Sequence, residues 1–205
     1  MPNKQYRLTE EEARLIKKHR DKEQRRVLVL PDLHAPFIIP EFLEFAKEIY
    51  NKYSCNRVHF TGDLLDNSFS SFHIISRKFV KAGLSEYWLK DFNDVLGTPG
   101  WIWQDSFNID GVRYIHGTGS SGRNGAISRA INWNTNICQG HIHTETSIIY
   151  HANNDRLIWS MQLGAAFDSN SYAASYAKNF TKKPIVAVGV ILDNGKLPIL
   201  EPMPL

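Results

Sequence analysis

The sequence predicts an α/β fold, and three observations predict it. The run Val27-Leu28-Val29-Leu30 is apolar at every position, the pattern of a strand covered on both faces. A helical stretch and a second strand follow it, closing a β-α-β unit by Gly62-Asp63. Beyond Gly100 the pattern turns to short strands, with hairpin signals at Asp110-Gly111, Asn153-Asn154-Asp155 and Asp193-Asn194-Gly195. The last half therefore reads as mostly antiparallel β.

Taken in order, Thr9 followed by Glu10, Glu11 and Glu12 is an N-cap with an acidic first turn. It predicts a charged helix or arm over 1–26, ending at Arg25 and Arg26. The strand 27–30 comes next. Pro40 then opens a helix whose inward residues are Phe42, Leu43, Phe45, Ala46, Ile49 and Tyr50. A second strand spans 57–61. The stretch 74–96 is helical in pieces, broken near Gly83 and stopped by Gly97-Thr98-Pro99-Gly100. Short strands are expected at 101–103, 107–109 and 112–115. A Gly/Ser loop (117–125) leads to a helix over 126–133. Further strands follow at 136–139, 146–150, 157–162, 185–192 and 197–200.

A chain of 205 residues suits one core, so a single domain over 1–205 is the expectation. The net charge of +3 is mild: it permits a phosphate-bearing partner, whereas dedicated nucleic-acid binders carry a denser basic patch. Cys55 and Cys138 form no CxxC pair, which fits a reducing compartment. No apolar run approaches the ~20 residues that span a bilayer, and 1–26 lacks the apolar stretch of a signal peptide. The expected location is the cytoplasm, with no membrane partner. Oligomeric state leaves no mark in the sequence.

Four strand candidates end in polar clusters: Asp32-Leu33-His34, Gly62-Asp63, His116-Gly117 and Gly140-His141-Ile142-His143. In an extended chain residues i and i+2 project to one side, so Asp32/His34 and His141/His143 are each expected to be same-face pairs. Carboxylate oxygen and imidazole nitrogen ligate Mn, Fe, Zn and similar divalent ions. Sites in α/β proteins gather at the carboxyl ends of strands, where all four clusters fall. One such cluster is an ordinary turn; four in succession predict a metal site.

This series, with Asp66 after Gly62-Asp63, resembles the calcineurin-like metallophosphoesterases from Val27 to His143. The wording of the chain is most similar to phage-borne members, which would place it in a host cytoplasm. The resemblance implies an α/β sandwich of two packed mixed β-sheets flanked by helices, with a dinuclear centre of Mn, Fe, Zn or Mg type at the strand ends. Asp32, His34 and His143 would hold one cation, Asp63 would bridge, and His116 and His141 would hold the other. The implied reaction is hydrolysis of a phosphate mono- or diester, nucleic acid being one substrate, with both cations neutralising charge on the transferring phosphoryl group. Asp66 would support the site from behind the ligands.

The family's Gly-Asn-His-Asp/Glu motif is missing: the chain has no Asn-His dipeptide, and between Asp66 and His116 its only histidine is His73. One internal α/β unit is absent too, and the junction falls near His73–Ile74. The second metal site is then incomplete. Losing the phosphate-facing histidine alone costs ~10² to 10³ in rate. The alternative is a non-catalytic metal-binding scaffold or regulator of the same fold, a drift that the retromer-type member of the family exemplifies.

Two decoys fall away. Gly117-x-Gly119-x-x-Gly122 matches a dinucleotide fingerprint, but no complete β-α-β unit with a following acidic residue accompanies it. As a P-loop it fails as well, because Arg123-Asn124 stands where Lys and Ser/Thr are required. A loop beside the site, with Arg123 available to a phosphate, is the expectation.

Overall fold

Alternation along β1 (Val27–Leu30) sets the layers of the molecule. Leu28 and Leu30 face α1 (Phe42–Lys52) and pack with its Phe42, Ala46 and Ile49. Val27 and Val29 face the opposite way, into a core shared with Val112, Tyr114, Cys138, Trp159, Met161, Leu163 and Ile191. That second cluster is the seam between two sheets. The computed structural model describes residues 24–35, 37–64, 98–168 and 181–204, with isolated positions 10, 11, 14 and 93.

The first sheet has the order β2 (Arg57–Phe60), β1, β8 (Ala187–Leu192), β9 (Leu197–Pro202). Its β1–β2 pair is parallel, while β1–β8 and β8–β9 are antiparallel. The second has the order β3 (Ser106–Ile109), β4 (Val112–Ile115), β5 (Asn136–Gln139), β7 (Leu157–Gln162), β6 (Ser147–Ala152). Both sheets are mixed. α2 (Gly125–Trp133) joins β4 to β5 and lays Ile127 and Ala130 against Ile115, Ile137 and Ile158 on the outer face of the second sheet. Asn134 closes this helix in the left-handed region, at φ 47°.

The described helices and strands fall where periodicity puts them, with three differences. Residues 101–103 are irregular, and Trp101 lies half exposed against Phe60. Leu43 is 50% exposed, because the buried stripe of α1 follows Phe42, Ala46 and Ile49 and leaves Leu43 at its flank. The last half is mostly antiparallel, as expected, but β4, β5 and β7 within it run parallel. The helix between β4 and β5 makes a second β-α-β unit around the loop 117–122, where none is expected from the sequence, and parallel pairing follows from that crossover. Of the expected N-terminal helix, Glu10, Glu11 and Arg14 are helical, and the rest of 1–23 lies outside the described residues. So do Asp66, His73 and the junction at His73–Ile74. Among the described residues no helix is long and apolar enough to cross a membrane.

One histidine belongs to this packing and not to the site. His59, on β2, lies edge-on to Phe107 (ring centroids 4.8 Å) and tilted against Tyr114 (4.5 Å). Burial pushes its pKa down to about 4. The folded state thus favours neutral His59, and its contribution is complete above the ordinary value near 6.5 and lost as the pH falls toward 4. With ~1.4 kcal/mol per unit and some allowance for residual exposure, the loss is about 2 kcal/mol. The His59→Phe variant keeps the aromatic packing without a titrating group. In urea unfolding at pH 7 and pH 4.5 it is expected to lose about 2 kcal/mol less than the wild-type protein; equal losses would refute this role.

Candidate metal centre

The carboxyl ends of β1 and β2 in one sheet, and of β4 and β5 in the other, open onto one another. Asp32, two residues beyond β1, is fully buried. It is fixed by the backbone: its carbonyl accepts from Ala166 N (2.8 Å), and it forms an isolated bridge with Ala165. Its Oδ2 accepts the His141 backbone N–H at 2.7 Å, and its Oδ1 lies 3.4 Å from the Thr61 hydroxyl. His143 Nε2 is 3.3 Å from Oδ2, and His116 Nδ1 is 3.5 Å from Oδ1. Burial works to raise the Asp32 pKa, but hydrogen bonding and charge from His116 and His143 win and hold it well below the usual carboxylate range.

Asp32, His34, Asp63 and His143 each offer a ligand atom, and these atoms lie within 4.8 Å of one another. Opposite ligands around one ion, with bonds of about 2.1 Å, stand about 4.2 Å apart, so the set needs only slight contraction. His34 Nε2 and His143 Nε2 face each other at 3.3 Å, their rings edge-to-face. Asp63 also faces His116, with Oδ2 3.4 Å from Nε2, and that same Nε2 is 3.2 Å from His141 Nδ1. Burial opposes charge on His116, but Asp32 and Asp63 outweigh it and raise its pKa. At His141, burial and the neighbouring His116 lower it. A group of four and a group of three thus adjoin, with Asp63 in both.

The local backbone explains how these side chains converge. His34 (φ 51°), Asp63 (φ 36°) and His141 (φ 74°) all occupy the left-handed region, at ~1 to 3 kcal/mol each. Two glycines make room. A Cβ on Gly62, itself at φ 142°, would stand 2.4 Å from His116 Nδ1, and one on Gly140 would stand 2.3 Å from Asp32 Oδ1. The same-face expectation fails for His141 and His143, because the backbone is not extended at His141. His141 is turned toward His116 while His143 goes to His34, whereas Asp32 and His34 do converge, through the turn at His34.

The donor set fits a divalent cation. It mixes carboxylate oxygen with imidazole nitrogen, as such ions require. His116 Nδ1 is buried with only the long 3.5 Å approach to Asp32 Oδ1 to match it. Three strained ligand backbones and paired imidazole nitrogens are likewise unfavourable for the polypeptide alone.

Arg123 stands apart from this cluster. Its exposed guanidinium pairs with Glu145 at 3.3 Å, and Glu145 also binds Lys182 at 3.1 Å. Sequence reasoning missed Phe167, whose buried ring lies edge-on to both His34 (5.0 Å) and His143 (5.2 Å). Its segment carries no strand or motif signal that could have found it.

No protein-family model matches the chain, and no curated protein matches it. Among solved structures, it is similar to a single mutant of Vps29 from Entamoeba histolytica (14% identity, TM-score 0.39, 87% of this chain and 99% of that one). It is also similar to vacuolar protein sorting 29 from Cryptosporidium parvum (14%, 0.40, 88% and 98%) and to Vps29 from Chaetomium thermophilum (10%, 0.38, 87% and 97%).

Proposed function

We propose that this protein binds divalent cations through Asp32, His34, Asp63 and His143, with His116 and His141 extending the site from Asp63, and that its ligand is a phosphate ester. The observation that carries this reading is the convergence of four metal-type ligand atoms within 4.8 Å. A bound cation would supply Lewis-acid neutralisation of phosphoryl charge. The chain's own groups do the rest. Asp32 anchors the four-residue group from the buried side, and Phe167 shields the His34 and His143 rings. Arg123 and Lys182, both paired with Glu145, would offer positive charge to the phosphate. The finer reading is hydrolysis of a phosphate mono- or diester.

A specific observation favours a second reading, a metal-binding scaffold without turnover. The sequence has no Asn-His dipeptide, so the group at His116 and His141 lacks the further ligand and the phosphate-facing histidine that the resemblance calls for.

Calorimetric titration with Mn²⁺ and Zn²⁺ tests the common core of both. At a hundred times its dissociation constant a cation adds ~2.7 kcal/mol, read as a rise of several degrees in Tm. An unchanged Tm and no binding heat would remove the proposal. Turnover of an aryl phosphodiester with Mn²⁺ then separates the readings. Activity abolished by Asp63→Asn supports hydrolysis, and tight binding without turnover supports the scaffold.

A further inference from the structure

Two amide side chains lie in the interior directly behind the candidate site. Gln139, the last residue of β5, and Gln162, the last of β7, are register partners with 0% and 1% exposure. Burying two amides is costly unless their polar groups are matched, and an apolar pair of the same shape would join these strands at least as well. Sheet pairing therefore gives no reason for them.

Their hydrogen bonds do. Gln162 Nε2 donates to the carbonyls of Gly140 (2.7 Å) and Leu163 (2.8 Å), and its Oε1 accepts from Gln139 Nε2 (2.9 Å). The Gly140 carbonyl also accepts from Ile142 N at 2.9 Å, closing a three-residue turn across His141 at φ 74°. This is the rare, strained hand of γ-turn, which persists only where its surroundings impose it. The turn aims the His141 N–H at Asp32 Oδ2 (2.7 Å) and brings its ring to His116 (3.2 Å). The pair reaches the His116 loop as well, since a Cβ on Gly117 would lie 3.2 Å from both Gln139 Cδ and the Gly140 carbonyl oxygen.

We propose that Gln162, braced by Gln139, is a positioning residue: it locks the Gly140-His141-Ile142 turn and thereby sets the relative placement of His141, His116 and Asp32. The consequence for cation affinity rests on the metal-binding reading above; the consequence for the turn does not. Groups that orient metal ligands commonly carry a 10- to 100-fold share of affinity, and about that effect is expected here.

The test uses Gln162→Met, which keeps length and loses the donors, and Gln162→Asn, which keeps an amide one methylene too short. Amide hydrogen exchange on the full chain is the first readout. The His141 amide is expected to exchange at least about tenfold faster in either variant, with the Cys138 amide in β5 unchanged. Mn²⁺ titration of the folded variant is the second, with affinity about tenfold or more weaker. If the wild-type protein binds no Mn²⁺, the metal-binding reading fails and the exchange result alone judges the turn. In the wild-type protein the Gln162 side-chain amide protons are expected to be protected, which needs no variant. Wild-type exchange at His141 in a folded variant, unprotected Gln162 amide protons, or undiminished Mn²⁺ affinity would each overturn the proposal.

Discussion

Asp32→Asn is expected to weaken Mn²⁺ binding by about 10² to 10³, the largest effect of replacing any single ligand. The reason is that Asp32 serves both groups of ligands at once. His143 approaches one of its oxygens at 3.3 Å and His116 the other at 3.5 Å, with the carboxylate fully buried between them. Removing one charge from a buried, hydrogen-bonded set typically costs ~3 to 5 kcal/mol, and the lower part of that range, ~3 to 4 kcal/mol, is the stated loss in affinity. The amide is nearly isosteric, so space is preserved, and an oxygen can still accept from His141 N. Its NH₂ group, however, presents donors where a cation would sit. Titration calorimetry at pH 7.5 reads the loss. Affinity within a factor of three of wild type would show that Asp32 is only a structural anchor.

How much of this was legible in the sequence depends on which interactions are local. The order of strand and helix was, because Val27-Leu28-Val29-Leu30, the Pro40 helix start and the Asp110-Gly111 and Asn194-Gly195 turns each carry a nearby signal. The candidate site was legible for a related reason. Glycine next to Asp or His at three of the four strand ends marks places where backbone and side chains crowd, and Gly62 and Gly140 are crowded by His116 and Asp32 themselves. Strand pairing was not, since β5 skips β6 to meet β7, and nothing within β5 encodes that choice. Gln139 and Gln162 were invisible for the opposite reason: an amide at a strand end reads as solvent-facing, and only the assembled sheet shows it at full burial. The same-face expectation for His141 and His143 failed because it assumes extended backbone, which the turn at His141 breaks.

Gly140→Ala is expected to destabilise the protein by about 3 kcal/mol or more and to remove cation binding in the same step. The added Cβ would stand 2.3 Å from Asp32 Oδ1, 2.7 Å from Thr61 Oγ1 and 3.1 Å from Asp32 Cγ. Neither neighbour can give way freely. The Asp32 carboxylate is held by His141 N on its other oxygen, and the Thr61 hydroxyl is engaged by the Leu30 carbonyl at 3.3 Å. Either the carboxylate swings out and forfeits a charge-assisted hydrogen bond, or the end of β5 shifts and carries His141 with it. Overpacking of this kind costs ~1 to 3 kcal/mol and the lost bond a further ~1.5 to 3. For a chain of this length that lowers Tm by about 6 to 12 °C. A general glycine effect is separated by Gly100→Ala, where φ is 86° but nothing lies within 4 Å; that variant should lose only about 1 kcal/mol. The decisive measurement is a double-mutant cycle by denaturant unfolding. With Asp32→Ala the clashing carboxylate is gone, so Gly140→Ala should cost at least about 2 kcal/mol less in that background than in the wild-type chain. Additive costs would mean that Gly140 is needed for its own backbone and not for the carboxylate pressed against it.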